Sequence, residues 1–168
     1  NPTDVYSLTN TTLGDSLLIT TTEDSSTAGP VITLKRNSSS PADADYIGQI
    51  KFKGENDNDQ EVIYGKITAK IGDASDGAED GIIEFANKNN GSNTITARLT
   101  HDTLKLINGT GLEVDGNVGI GTSTPGAKLH ILQTGETYDD GLKVVGNTSP
   151  ISGRIYMNNT DVHIDNAT

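Results

Sequence analysis

Apolar residues come along this chain in short packets that alternate with polar ones. The clearest is Glu61-Val62-Ile63-Tyr64-Gly65-Lys66-Ile67-Thr68-Ala69-Lys70-Ile71. In an extended chain Ile63, Ile67, Ala69 and Ile71 share one face and Lys66, Thr68 and Lys70 the other. A period of two over this length predicts a half-buried β-strand. In Tyr46 to Lys53, Ile50 and Phe52 face one way and Lys51 and Lys53 the other. Ile82 to Ala86 and Thr94 to Thr100 repeat the pattern. Shorter packets predict strands at Leu17 to Thr20, Val31 to Arg36, Thr103 to Ile107, Leu112 to Val114, Val118 to Ile120, Leu129 to Leu132, Leu142 to Val145, Arg154 to Met157 and Val162 to Ile164. Between them lie Asn56-Asp57-Asn58-Asp59, Gly72-Asp73-Ala74-Ser75-Asp76-Gly77 and Asn89-Asn90-Gly91-Ser92-Asn93, which supply positive-φ positions and Asx turns. No stretch combines a helical period with an N-cap over helical length, so the expected class is all-β.

The character changes near residue 100. Residues 30–100 carry the longer strands, with Ile, Phe and Tyr, and are expected to form a globular β module, able to close a small sandwich. Residues 1–29 form a short-strand N-terminal segment, and 101–168 hold strands of three to five residues punctuated by glycine. Strands this short bury little. Roughly 25 cal/mol per Å² of apolar burial must offset about 1–2 kcal/mol of backbone entropy per residue. The C-terminal segment becomes stable if several copies wind together and share a core. The expected architecture is an elongated, intertwined homotrimer: a globular β module followed by a slender trimeric shaft.

Composition narrows the function. The chain has 168 residues and 32% hydrophobic content, low for a globular domain, with a net charge of −11. Low hydrophobicity with high charge is also a mark of disorder, but the spaced, alternating packets argue against it. The negative charge would repel a phosphate backbone, so no nucleic-acid partner is expected. No apolar run reaches the length of a membrane helix, so no membrane insertion is expected. Cysteine is absent, which removes disulfides, thiolate metal sites and a cysteine nucleophile. The chain opens Asn1-Pro2-Thr3-Asp4 without an initiator Met, as expected of a processed product or a piece of a longer polypeptide.

The segment Asp115-Gly116-Asn117-Val118-Gly119-Ile120-Gly121-Thr122-Ser123-Thr124-Pro125-Gly126-Ala127-Lys128-Leu129-His130-Ile131 resembles a G-N-V-G-I-G-T-x-x-P-x-x-K-L-H module of tailed-phage fibres and spikes. Val118 and Ile120 are expected to alternate inward, Pro125 to stop the strand, and Leu129 and Ile131 to resume burial. Residues 29–99 resemble a second fibre module through Leu34 to Asp43, Gly48 to Phe52, Asp76 to Gly81 and Glu84-Phe85. The resemblance implies a homotrimeric fibre on the virion surface, a tail fibre or similar appendage, whose partners are other fibre or baseplate proteins and, at its loops, a host surface glycan. A capsid decoration or head fibre, or a bacterial surface adhesin, would have similar architecture. The family's C-terminal chaperone typically opens with a Ser-Asp-x-x-x-Lys type segment that this chain lacks. A cleaved chaperone, a shortened chain, or a fibre that folds without one would each account for that.

Candidate chemistry is sparse. The hydroxyl-rich stretch Asn37 to Asp45, long for a hairpin connection, is the candidate receptor-contact loop, through Asn37, Ser38, Ser39, Ser40, Asp43 and Asp45. The plainer reading, a connector, is favoured. Asp57, Asp59 and Glu61 in one loop and Asp73, Asp76, Glu79 and Asp80 in another could supply oxygen ligands to calcium. Neither fits the D-x-[DN]-x-[DN]-G loop, and solvated turns are the favoured reading, with no metal or cofactor expected. A polysaccharide depolymerase would need a spaced carboxylate pair. It would also stack sugars on aromatics, whereas Trp is absent and Tyr6, Tyr46, Tyr64, Tyr138 and Tyr156 are scattered. No enzymatic activity is therefore expected. His130 and His163 lie between apolar strand neighbours, where exposure is expected and an axial metal site in a threefold fibre is the rarer alternative. His101 falls in an expected turn.

Overall fold

A computed structural model describes residues 8–11, 14–24, 26, 29–133 and 135, with the backbone of 142–145, 152–157 and 162–167. The described residues are all-β, with no helix. They fall into two compact units, Asn1–Thr110 and Gly111–Thr168.

The first unit is built on one antiparallel five-stranded sheet, ordered β1-β2-β3-β4-β5 along the chain. Its strands are β1 (Tyr46–Glu55), β2 (Glu61–Asp73), β3 (Asp80–Asn89), β4 (Ser92–Leu99) and β5 (Leu104–Leu106). β5, from the segment expected to start the shaft, is an edge strand of this sheet. The turns are formed by the residues whose chemistry predicts them. Asn90 and Gly91 both take positive φ (44° and 79°) in the two-residue β3–β4 loop, the backbone that a tight hairpin between right-twisted strands requires. Between β1 and β2 the Asn56 side-chain oxygen accepts the N–H groups of Asn58 (3.1 Å) and Gln60 (2.9 Å).

Register sorts the side chains onto two faces, because directly paired residues share a face. One face carries the rows Ile50–Ile67–Phe85–Ala97–Leu106 and Gly48–Ala69–Ile83–Leu99–Leu104, then Phe52–Gly65–Asn87–Thr94. None of these residues is charged. The opposite face carries Gln49–Thr68–Glu84–Arg98–Lys105, Lys51–Lys66–Ala86–Ile95 and Tyr46–Lys70–Ile82. The expected alternation of Ile50 and Phe52 against Lys51 and Lys53 is therefore present. Ile63 departs from it. The register slips between Phe52 and Lys53, which sets Ile63 opposite Lys53, out of line with Ile67. Such a bulge reverses the facing of the residues beyond it.

Burial runs against the hydrophobic pattern. The three buried residues among those described are Thr68 (2% exposed), Ala86 (3%) and Glu84 (4%), all on the lysine-bearing face. They are short or ion-paired residues of the two innermost well-paired strands. Ala86 lies between Lys66 and Ile95, and Thr68 between Gln49 and Glu84, where long neighbouring stems cover them. Gln49 Nε2 donates to Thr68 Oγ1 at 3.0 Å. Arg98 donates to Glu84 Oε1 from both Nε (2.9 Å) and Nη2 (2.6 Å). A buried carboxylate without such a cation would be costly. The uncharged face, by contrast, leaves Ile50, Phe52, Phe85, Leu99, Leu104 and Leu106 exposed. The small sandwich that these strands could close would need a second sheet. No second sheet is present among the described residues of this unit.

The expected strands at Leu17 to Thr20, Val31 to Arg36 and Leu112 to Val114 carry no ladder. Alternation gives a segment the pattern of a strand, but a ladder needs a neighbour, and these have none in the described chain. Leu34 rests where a side chain on Gly48 would point. Arg36 binds the start of β1, donating from Nη1 to the Tyr46 carbonyl at 3.1 Å and lying 3.4 Å from Asp45 Oδ1.

In the second unit β6 (Val118–Ile120) pairs in parallel with β7 (Leu129–Ile131), and β8 (Leu142–Val145), β9 (Ser152–Met157) and β10 (Val162–Ala167) form an antiparallel sheet ordered β10-β9-β8. The expectations for Tyr6 and Tyr138, and for the side chains of Tyr156 and His163, lie outside the described residues.

Candidate functional site

The candidate contact loop is held by its carboxylates. Asp43 Oδ1 accepts the Ala74 N–H at 2.9 Å, tying the loop to the connection between β2 and β3. Asp45 Oδ2 accepts the Ala42 N–H at 3.2 Å within the loop. Backbone bonds continue the tie, from Ala44 N to the Ile71 carbonyl and from Ile71 N to the Asp45 carbonyl, both 2.9 Å. Ser38 Oγ accepts the Ser40 N–H at 3.2 Å. Asp43 and Asp45 are thus occupied in shaping the loop. Asn37, Ser39 and Ser40 are exposed and remain the side chains able to offer hydrogen bonds to a ligand. The loop's other wall is the acidic connection itself, where Asp73 Oδ1 accepts the Ser75 N–H at 2.8 Å. The Ser75 backbone and hydroxyl bonds hold the Asp73 carboxyl below the usual aspartate range.

The acidic loops do not assemble a cation site. Glu61 pairs with Lys53 at 2.6 Å. Asp59 takes a left-handed conformation (φ 56°), and its N–H donates to the Asn56 carbonyl at 3.1 Å. Among the described residues no three His, Cys, Asp or Glu side chains converge in a metal-holding group, and Asp73, Asp76, Glu79 and Asp80 are no exception. An open hollow of about 260 Å³ touches Asp80, Thr100, His101 and Asp102. His101 sits in a turn closed by the Thr100 N–H on the Thr103 carbonyl at 3.0 Å.

The segment resembling the fibre module is a small unit sealed by the residues that define the resemblance. Asn117 Nδ2 donates to the Pro125 carbonyl at 3.2 Å, and Lys128 Nζ to the Asp115 carbonyl at 2.6 Å. Thr122 Oγ1 accepts the Thr124 N–H at 3.1 Å. The Val118 N–H donates to the Lys128 carbonyl and the Leu132 N–H to the Ile120 carbonyl, both at 2.8 Å, closing the pair at each end. Two glycines are forced by close backbone approach. A Cβ at Gly119 would stand 2.5 Å from the Thr122 carbonyl oxygen. One at Gly121, where φ is +76°, would strike the Leu132 carbonyl oxygen. His130 is not the exposed side chain that alternation suggests. It is half-buried, and its Nδ1 accepts the Gly126 N–H at 3.1 Å, which leaves the proton of the neutral ring on Nε2. The apolar residues are less covered than expected. Val118 and Ile131 are half-buried, whereas Ile120, Leu129 and Leu132 are exposed.

The first unit also presents the uncharged sheet face. At one end of the sheet lies a hollow of about 320 Å³ bounded by Ile47, Lys70, Ile83, Leu99 and His101 among others. Sequence reasoning found the alternation that makes this face and allowed that a small sandwich could cover it. It missed Glu84, whose burial depends on Arg98 from a strand fourteen residues on. Compared with known proteins, the chain matches no family model and no curated protein.

Proposed function

We propose that this chain is a non-enzymatic structural subunit of a virion fibre of the tailed-phage kind, a homotrimer that presents surface loops for host attachment. The observation that carries the proposal is the near absence of a single-chain core. Among the described residues the one buried apolar side chain is Ala86, while large apolar residues in both units are exposed. An isolated chain of this kind has little to set against its conformational entropy. Copies that share their apolar surfaces remove the deficit. The resemblance over residues 115–131 supports a fibre as the setting. The loop of residues 37–45, anchored through Asp43 and Asp45, leaves the Asn37 and Ser39 side chains outward, and threefold repetition would multiply weak glycan contacts.

The test is mass in solution by light scattering, before and after brief heating in detergent. The expected mass is near three times 17.6 kDa, surviving detergent. A folded monomer would overturn the reading. Immunogold labelling of intact particles then places the subunit, with label at the tail expected and label on the head favouring a decoration protein.

A further inference from the structure

We propose that the uncharged face of the β1–β5 sheet is the surface on which copies of this chain pack against one another, with the row Ile50–Ile67–Phe85–Ala97–Leu106 at its centre. The inference rests on the homotrimer reading and adds which surface makes the contact. Three successive rows of the face contain no charged residue, although the chain as a whole carries −11. The lysines of this sheet, Arg98 and Glu84 are on the opposite face. Two copies meeting through the uncharged face therefore set no like charges against each other. A partner recognised by charge would find nothing to pair with.

Size supports a second copy as the occupant. Four strands about 4.8 Å apart with some six residues at about 3.3 Å, and the three residues of β5, give about 400 Å² of projected area per copy, a lower bound on the accessible area of a corrugated face. That is about 800 Å² of projected area between two copies, near the roughly 1,000 Å² at which a specific interface begins. Of the described residues before β1, Leu34 lies over this face at Gly48.

Hydroxyl-radical labelling of the intact oligomer tests this without any substitution. Phe85, Phe52 and Tyr46 are comparably exposed in the single chain, at 41%, 56% and 49%, but Tyr46 lies on the opposite face. With each residue's rate normalised to the urea-unfolded chain, Phe52 and Phe85 are expected to label at least about fivefold more slowly than Tyr46, as interface cores exclude water. F85K is expected to lower the mass to that of one chain, and F85L to retain the oligomer. A trimer whose Phe85 labels as fast as Tyr46 would overturn the inference and leave the fibre reading standing. A monomer with Phe85 protected would mean that the chain covers its own face, and would overturn both. A monomer with Phe85 labelled freely would overturn both as well.

Discussion

Alanine at Gly121 combines two penalties that the other described glycines carry singly or not at all. At Gly121 φ is +76°, and an added Cβ would strike the Leu132 carbonyl oxygen. The left-handed conformation costs an L-residue about 1–2 kcal/mol. The collision is with backbone, which cannot rotate away. Relief requires moving Leu132, whose N–H closes the β6–β7 pair on Ile120 at 2.8 Å. Losing that bond adds about 0.5–1.5 kcal/mol, so G121A is expected to destabilise the β6–β7 unit by about 2–3 kcal/mol. Gly109 isolates the first penalty, with φ +79° and open space around its Cβ, and G109A should cost about 1–2 kcal/mol. Gly119 isolates the second, with the Thr122 carbonyl oxygen at 2.5 Å and no positive φ. Gly126 has neither, and G126A should be neutral or stabilising by up to about 1 kcal/mol through the unfolded chain. Native-state hydrogen exchange reads the outcome at the Leu132 amide. A loss of about 2–3 kcal/mol corresponds to exchange faster by roughly thirtyfold to over a hundredfold. Exchange in G121A within threefold of the parent chain, or damage by G126A equal to that by G121A, would refute the close-approach argument.

Removing the guanidinium in R98M leaves the Glu84 carboxylate buried without its cation, and urea unfolding should show a loss of about 2–4 kcal/mol, with E84L/R98M recovering most of it. In the contact loop, D43A should cost about 1 kcal/mol by freeing the Ala74 N–H, whereas S39A should leave the unfolding midpoint unchanged. If the loop binds glycan, S39A weakens binding without that structural cost, and equal binding by S39A and the parent would remove Ser39 from the contact. The Asp73 carboxyl should titrate below the ordinary aspartate value by carbon-detected NMR, and S75A should raise it part of the way, because the backbone donor stays. Since its folded pKa is the lower one, Asp73 stabilises the fold above the unfolded-state pKa. That contribution fades as pH falls through the folded value, so an Asp73 midpoint at or above the ordinary value would contradict the bonding described.

The local parts of this fold are legible in the sequence because they depend on single-residue chemistry. Asn90-Gly91 makes a two-residue turn since few other residues tolerate two positive φ values in succession. Asn56 organises the β1–β2 turn with its own side chain, and the glycines of the 115–131 segment stand where backbones meet. The alternation in β1 and β2 is equally visible, since a pleated strand imposes it. Three things are not legible, and each is decided by a neighbour the pattern does not contain. The slip that moves Ile63 out of line is set by the pairing of β1 with β2. Val31 to Arg36 has the composition of a strand and no ladder to join. His130 is half-buried because Gly126, four residues back, turns its N–H onto the ring. The inverted burial belongs to the same class. Thr68 and Glu84 are covered because Gln49, Arg98 and the lysine stems stand beside them within one chain. Phe85 and Ile67 obey the alternation that should bury them, yet within the described chain Ile67 is only half-buried and Phe85 stays exposed. A pattern that specifies a buried face and a chain that leaves it open are consistent if the burial is completed between copies. Labelling Phe85 against Tyr46 in the assembled protein separates that account from a chain that buries the face by itself.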